Sequence, residues 1–320
     1  MLDGTRMVHR DFSVAALCLF AMSQVYAEVV FFDSFESGDL SATNSDGFSW
    51  NHTNRTSIVI HDEQDGPVAI YNGNPIYNIH ESIMPDGTVR DWNAVEGEHS
   101  LRFRYPEGIN WAEQRFNMGK AYTEIWISFW VRVPNNYEHL DSDGTDNGKW
   151  FALWMDDYSS KGNGPTIVGS LEIVRELQDG KWVATGSTDL QMTWSVGGNT
   201  VTTPRSSRTR LIDFPHDQGR WMQWVIRAKA ATTTESNDGI IQTWRRWQGE
   251  GGFTKLHDVT DADIGPPVEG PFGWQKGYLM GYMNSPFAVD TEFLLDNFTI
   301  STSSLLSETV PPSQPVLSIE

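Results

Sequence analysis

The segment Tyr122-Thr-Glu-Ile-Trp-Ile-Ser-Phe-Trp-Val-Arg-Val133 alternates two chemically different faces with the two-residue period of a strand. Ile125, Ile127, Phe129, Val131 and Val133 point one way, toward a core. Tyr122, Glu124, Trp126, Ser128, Trp130 and Arg132 point the other. An ordinary half-buried strand shows Thr, Lys, Ser and Glu to water, so two indoles with a phenol, a carboxylate and a guanidinium read as the lining of a groove. Flat rings offer apolar area to the C–H faces of sugar rings, while Glu and Arg add directional hydrogen bonds and charge; such a groove suits a sugar polymer. The alternative is an aromatic outer sheet face covered by another part of the same chain.

Cleaving a uronic-acid polymer by β-elimination needs a cation or amide to neutralise the carboxylate, a base for the C5 proton and an acid for the leaving oxygen. Arg102 and Arg104 alternate out of Leu101-Arg-Phe-Arg-Tyr105, Gln114 and Arg115 follow in Glu113-Gln-Arg-Phe116, and Tyr278 and Tyr282 lie toward the C-terminal end. Arg104, Gln114, Glu124 and Tyr282 form the candidate catalytic set. Tyr122, Trp126, Trp130, Arg132, His139 and Tyr278 form the candidate substrate-binding set. Each Arg has an alternative role as half of a salt bridge on an acidic protein. His139, in Asn135-Asn-Tyr-Glu-His139, is placed to overhang a groove or else hydrogen-bonds its surroundings. The other histidines past the N-terminal segment (His52, His61, His80, His99, His216 and His257) lack metal-ligand spacing, which argues against zinc.

Such a site needs elements to hold it and a compartment to work in. Arg6 and Arg10, the apolar run Val14 to Met22 and then Val25-Tyr26-Ala27 read as an export signal cleaved after Ala27, predicting a secreted or periplasmic protein. That run is shorter than the roughly 20 apolar residues a bilayer span needs, so no membrane insertion is expected. The single cysteine, Cys18, lies inside this segment. The exported chain would then have no disulfide and no thiolate metal site. The net charge of -19 makes nucleic acid a poor partner. An anionic polysaccharide must meet local Arg and Lys against that field. The 14 Trp, 9 Tyr and 16 Phe exceed what one core of ordinary composition uses, so some should face a ligand.

Short alternating segments recur between Gly, Asn, Asp and Pro clusters: Val29 to Phe32, Ser100 to Tyr105, Tyr122 to Val133, Trp150 to Met155, Ile167 to Val174, Leu190 to Val196, Trp221 to Lys229, Gly239 to Trp247, Tyr278 to Asn284 and Glu292 to Ser301. No long helical period separates them, which predicts an all-β fold of two packed antiparallel sheets. One domain over 28–303 is expected, with a loop-rich insertion at about 44–95 and a Pro-containing linker or tail over 304–320. The polar loop holding Asp141, Asp143 and Asp146 lacks the Gly and Glu positions of an EF-hand.

Phe32-Asp-Ser-Phe-Glu-Ser-Gly-Asp-Leu40 and Phe293-Leu-Leu-Asp-Asn-Phe-Thr-Ile300 resemble the paired terminal strands of concanavalin A-like lectin/glucanase jelly rolls. Gln218-Gly-Arg-Trp-Met-Gln-Trp-Val-Ile-Arg227 followed by Asp238-Gly-Ile-Ile-Gln-Thr-Trp244 is similar to the pattern of jelly-roll polysaccharide lyases and laminin-G-like domains. The resemblance implies a jelly-roll sandwich over most of 29–302. It leaves function open, because the superfamily holds hydrolases, lyases and binding modules. The Glu-x-Asp-x-x-Glu signature of its retaining glucanases is absent. The alginate lyase pattern Tyr-Phe-Lys-x-Gly-x-Tyr is echoed by Lys276-Gly-Tyr-Leu-Met-Gly-Tyr282, with the lysine ahead of the first tyrosine. In jelly rolls of this type the terminal strands are neighbours, so Asp33, Glu36, the Gly38 carbonyl and Asp296 could share a structural calcium ion; otherwise they are turn and strand-end residues. No organic cofactor is implied. The reading is an exported carbohydrate-active jelly roll, with lyase chemistry favoured over hydrolysis. The alternatives are a non-catalytic glycan-binding module and an adhesive surface or virion protein.

Overall fold

The computed structural model describes residues 28–60, 67–71, 74–77, 92–140, 147–156, 158, 165–196, 199–202 and 208–306. The expected export signal, the end of the tail, much of the 44–95 insertion and Asp141, Asp143 and Asp146 lie outside the described residues.

The described residues contain 18 strands and no helix. The first half holds β1 (Val29–Asp33), β2 (Ser49–Asn54), β3 (Thr56–Ile60), β4 (Pro67–Tyr71), β5 (Asn74–Tyr77), β6 (His99–Tyr105), β7 (Trp111–Tyr122), β8 (Glu124–Arg132) and β9 (Asn147–Trp154). The second holds β10 (Thr166–Gln178), β11 (Lys181–Val196), β12 (Asn199–Thr202), β13 (Thr209–Ile212), β14 (Trp221–Lys229), β15 (Gly239–Trp247), β16 (Thr254–Ala262), β17 (Trp274–Tyr282) and β18 (Thr291–Ser301). They form two antiparallel sheets of eight strands and a separate β4–β5 hairpin. The first sheet runs β16-β15-β14-β8-β18-β6-β3, with β1 also on β18. The second runs β12-β11-β10-β9-β17-β7-β2, with β13 on β11. Successive strands β6, β7, β8 and β9 alternate between the sheets, giving the all-β jelly-roll sandwich expected from the segment pattern. The expected pairing of the terminal strands is present, with Asp33 opposite Phe298.

The alternation in β8 positions the layers. Ile125, Ile127, Phe129, Val131 and, just past the strand, Val133 are fully buried between the sheets. Each such side chain contributes roughly 1.5–3 kcal/mol of burial. The sequence reading placed Tyr122 on this strand; the structure corrects that. Thr123 carries the chain from one sheet to the other, so Tyr122 ends β7 and donates its hydroxyl to Asp46 at 2.6 Å, away from the Trp126 face. Tyr122 continues the inward series of β7 and packs in the core, and the exposed Thr123 separates it from β8, so the period-2 pattern runs on in sequence across a change of sheet.

Much of the outer face of the first sheet is covered by the chain itself. Trp126 stacks on Trp244 at 5.3 Å, with Arg227 5.5 Å from its ring and Leu305 and Leu306 packed on the same cluster. Trp130 packs with Val59, Trp92, Val95, Trp221 and Leu294, and Arg246 lies 5.6 Å from its ring. These indoles are walls of satellite cores. Trp126→Ala is therefore expected to cost about 3–5 kcal/mol of stability, read by chemical denaturation. Unchanged stability with lost sugar binding would return Trp126 to an open groove.

Candidate active site

The outer face of the second sheet carries a different chemistry. On β7, Ala112, Gln114, Phe116 and Met118 turn inward, which leaves Trp111, Glu113 and Arg115 outward. Arg115 is register partner of Tyr278 on β17, and Tyr278 is partner of Ala152 on β9. A bulge in β9 pairs Phe151 with Gly169 and Lys149 with Ser170, so Trp150 and Phe151 both enter the core and Lys149 is returned to the outer face.

These residues meet around Gly281. A Cβ on Gly281 would lie 2.9 Å from the Lys149 Cβ and 3.1 Å from Tyr278 Cε2, and φ there is +142°. Glycine is required both by the backbone and by the space between the Lys149 stem and the Tyr278 ring. Tyr278 is buried, and its hydroxyl lies 2.7 Å from that of Tyr158. Trp154 lies 5.2 Å from Tyr158 and 5.9 Å from Tyr278, and the Arg115 guanidinium sits 6.0 Å from the Trp154 ring. Arg115 Nε donates to Glu113 Oε1, and Trp111 Nε1 donates to Glu113 Oε2 at 3.2 Å.

Burial first, then Tyr158 and Glu113, holds the Tyr278 phenol well above its ordinary range, with Arg115 opposing. Burial likewise raises Tyr158. Both phenols are therefore protonated near neutrality. Burial pushes the Lys149 amine below the ordinary lysine range, with Glu172 opposing. Among the described residues Lys149 makes no hydrogen bond or salt bridge, and the two terminal nitrogens of Arg115 make none either. Glu172 is occupied by Arg208 at 3.2 Å, and the Gln191 amide, oriented to satisfy both, bridges Glu172 and Arg208. Lys276 donates to the Asp156 carbonyl at 3.2 Å.

No family model matches the chain, and no curated protein does. Solved structures similar to it include a mutant of alginate lyase Aly36B in complex with alginate trisaccharide (14% identity, 63% of this chain and 80% of that one, TM-score 0.44). The alginate lyase from Aplysia kurodai (11%, 64% and 84%, 0.44) and alginate lyase vAL-1 from Chlorella virus (9%, 86% and 100%, 0.45) are others. These are likenesses of architecture alone, and the chemistry of this chain is read from its own residues.

The candidate catalytic set of Arg104, Gln114, Glu124 and Tyr282 does not converge. Arg104 lies on the first sheet, 2.8 Å from Asp290. Gln114 points into the sandwich and accepts from Thr56 Oγ1 at 2.8 Å, because inward alternation on β7 falls on a polar residue there. Glu124, on the first sheet, pairs with Arg227 at 2.8 Å. Tyr282 alone of the four is on the second sheet's outer face, and it is exposed. Of the binding set, Arg132 donates to Asn135 at 3.0 Å on the first sheet. His139 is buried with its Nε2 3.0 Å from the Ser285 carbonyl oxygen, so it overhangs no groove. Only Tyr278 falls within the cluster. Lys149, Tyr158, Trp154 and Glu113 were missed; the β9 bulge masks Lys149, and nothing in the local pattern pairs Tyr158 with Tyr278.

Of the expected calcium ligands, Asp33, Glu36 and Asp296 each accept protein N–H groups. Asp33 accepts from the Phe35 N–H at 2.8 Å and from Trp50 Nε1 at 2.7 Å. Glu36 accepts from the N–H groups of Glu98 and His99 at 3.0 and 2.8 Å, and Gly38 takes a left-handed turn at φ +74°. Asp296 accepts from the N–H groups of Val95, Glu96 and Asn297 at 2.8, 3.2 and 2.6 Å. Among the described residues no three carboxylates, histidines or cysteines form a metal-holding group.

Asp296 is fully buried, and burial raises its pKa to about 7 against those three hydrogen bonds. Its folded pKa lies above its unfolded one, so the folded state keeps a proton that the unfolded state has lost between about pH 4 and pH 7. The Asp296 contribution to stability should therefore fall as pH rises through that window. Denaturant midpoints measured across it should show this slope in the parent chain and lose it in Asp296→Asn; identical slopes in both would show that Asp296 does not titrate there.

Proposed function

We propose that this chain is an exported, polysaccharide-active protein that cleaves a uronate-bearing polymer by β-elimination on the outer face of the second sheet. The observation that carries the reading is the meeting across Gly281 of the Lys149 stem, whose half-buried amine makes no salt bridge among the described residues, and the ring of Tyr278, one of a hydrogen-bonded phenol pair. Elimination needs a base that is neutral and an acid that is protonated at the same pH, and burial shifts both groups in the required directions. In this reading Lys149 takes the C5 proton, the Tyr158–Tyr278 pair returns a proton to the leaving oxygen, and the terminal nitrogens of Arg115 neutralise the substrate carboxylate. Glu113 fixes the Arg115 guanidinium through Nε and leaves its other donors for the substrate. Export rests on the N-terminal segment, with Arg6 and Arg10 ahead of the apolar run Val14 to Met22 and Val25-Tyr26-Ala27 after it.

The dispersal of the four residues first expected to converge and the burial of Tyr278 and Trp154 favour a second reading, a glycan-binding module without turnover. Ultraviolet absorbance of unsaturated uronate products, followed with a panel of anionic polysaccharides, separates the two. Elimination should appear with one polymer class, and Lys149→Met should lower kcat roughly 10²- to 10⁴-fold with the fold intact. A flat trace with every polymer, together with measurable binding, would establish the module.

The pH profile gives an independent check. The rate should rise with pH through the amine's lowered pKa and hold until the phenols, raised by burial, begin to ionise. Tyr278→Phe should remove the upper limb and leave the lower one. An unchanged profile in that variant would exclude the phenol from proton transfer.

A further inference from the structure

Trp111 and Tyr282 are register partners at the end of β7 and β17, on the same outer face as Arg115 and Tyr278. They are 36% and 46% exposed, whereas Trp154 and Tyr278 farther along the same face are buried. Trp111 is held in place at its polar edge: its Nε1 donates to Glu113, whose other oxygen receives Arg115. Its backbone carbonyl accepts from Arg55 at 2.9 Å, and His52 lies 6.3 Å from its ring. An indole and a phenol side by side, rimmed by carboxylate, guanidinium and imidazole, match a ring with an apolar C–H face and a hydroxyl rim. A protein partner would more often be met by a wider apolar patch.

We infer that Trp111 and Tyr282 form a stacking subsite for a sugar unit remote from the bond that is cleaved. The inference rests on the elimination reading for the position of that bond. Tyr278 and Tyr282 are four residues apart on one strand, up to about 13 Å, so the occupant is a neighbouring unit of the same polymer. The subsite sets how the chain is held and therefore the length of the products.

The experiment compares Trp111→Ala and Tyr282→Ala with Trp182→Ala, a control at the tip of the β10–β11 hairpin where the indole is 70% exposed. Trp111→Phe is included as the conservative variant. Long polysaccharide, the shortest cleaved oligosaccharide and product length are assayed for each. The expected result is a KM for polymer raised roughly ten-fold by either Ala variant, with kcat on the shortest substrate unchanged, altered product lengths, and recovery in Trp111→Phe. Trp182→Ala should match the parent.

Affinity electrophoresis of the same substitutions in a Lys149→Met background reads binding without turnover. If the parent cleaves and the Ala variants keep its KM and products, the subsite is overturned and elimination stands. If the parent binds polymer without cleaving it and Trp111→Ala releases the polymer, the subsite stands and elimination falls. If Trp111→Ala converts a dimer to a monomer with polymer affinity unchanged, the face is an interface between copies and the subsite is overturned.

Discussion

The sandwich depends on an aromatic layer that joins its two sheets. Phe129 on β8 lies 5.4 Å from Trp224 of its own sheet and 6.5 Å from Phe151 of the other, and Trp150 lies 6.3 Å from Phe293. These rings are fully buried. They join the sheets with no disulfide among the described residues, since the one cysteine, Cys18, lies outside them. The same layer dictates the site. Admitting two consecutive large rings, Trp150 and Phe151, from one strand requires the β9 bulge, and the bulge decides which way Lys149 points.

The two outer faces have diverged in use. On the first sheet, aromatic and charged side chains are consumed by the chain's own coverings: Trp126 by Trp244 and the C-terminal leucines, Trp92 by Glu292 at 2.9 Å, Glu124 by Arg227. The Trp92–Glu292 bond is buried, so removing the indole would leave a buried carboxylate short of a donor. On the second sheet the pairing is incomplete. Lys149 has no counter-ion among the described residues and Arg115 is paired through one nitrogen only. Incomplete pairing is costly in a half-buried setting, and a ligand carboxylate is a group that would complete it.

The fold was legible because the inward faces of β8 and β14 alternate cleanly, and β14 and β15 match their sequence segments from end to end. The site was less legible. Period-2 alternation tells which residues share a face of one strand, but not which sheet the strand joins. Trp126 and Trp130 stood out as chemically unusual, yet on their strand Trp126 is buried against Trp244 and Trp130 is half-buried against Trp92 and Trp221. β7 went unread because its inward series passes through Gln114, a polar residue satisfied by Thr56, Asn51 and its own neighbour's carbonyl. With β7 unread, Glu113 and Arg115 had no assigned direction.

Glu113 shows why chemistry on an acidic chain depends on local geometry more than on net charge. At -19 overall the protein should repel polyanions, with the long-range part screened over about 8 Å at physiological salt. Within that distance what matters is which charges are already matched. Glu113 is buried beneath Arg115 and Trp111 and spends both oxygens on them, so it orients a guanidinium while presenting little negative charge outward. Glu172 does the same beneath Arg208 and Gln191. The carboxylates on this face are thus turned into supports for cations and amides, and the outward chemistry of the face is that of Lys149, Arg115 and the phenols, set by hydrogen-bond direction against the sign of the whole molecule.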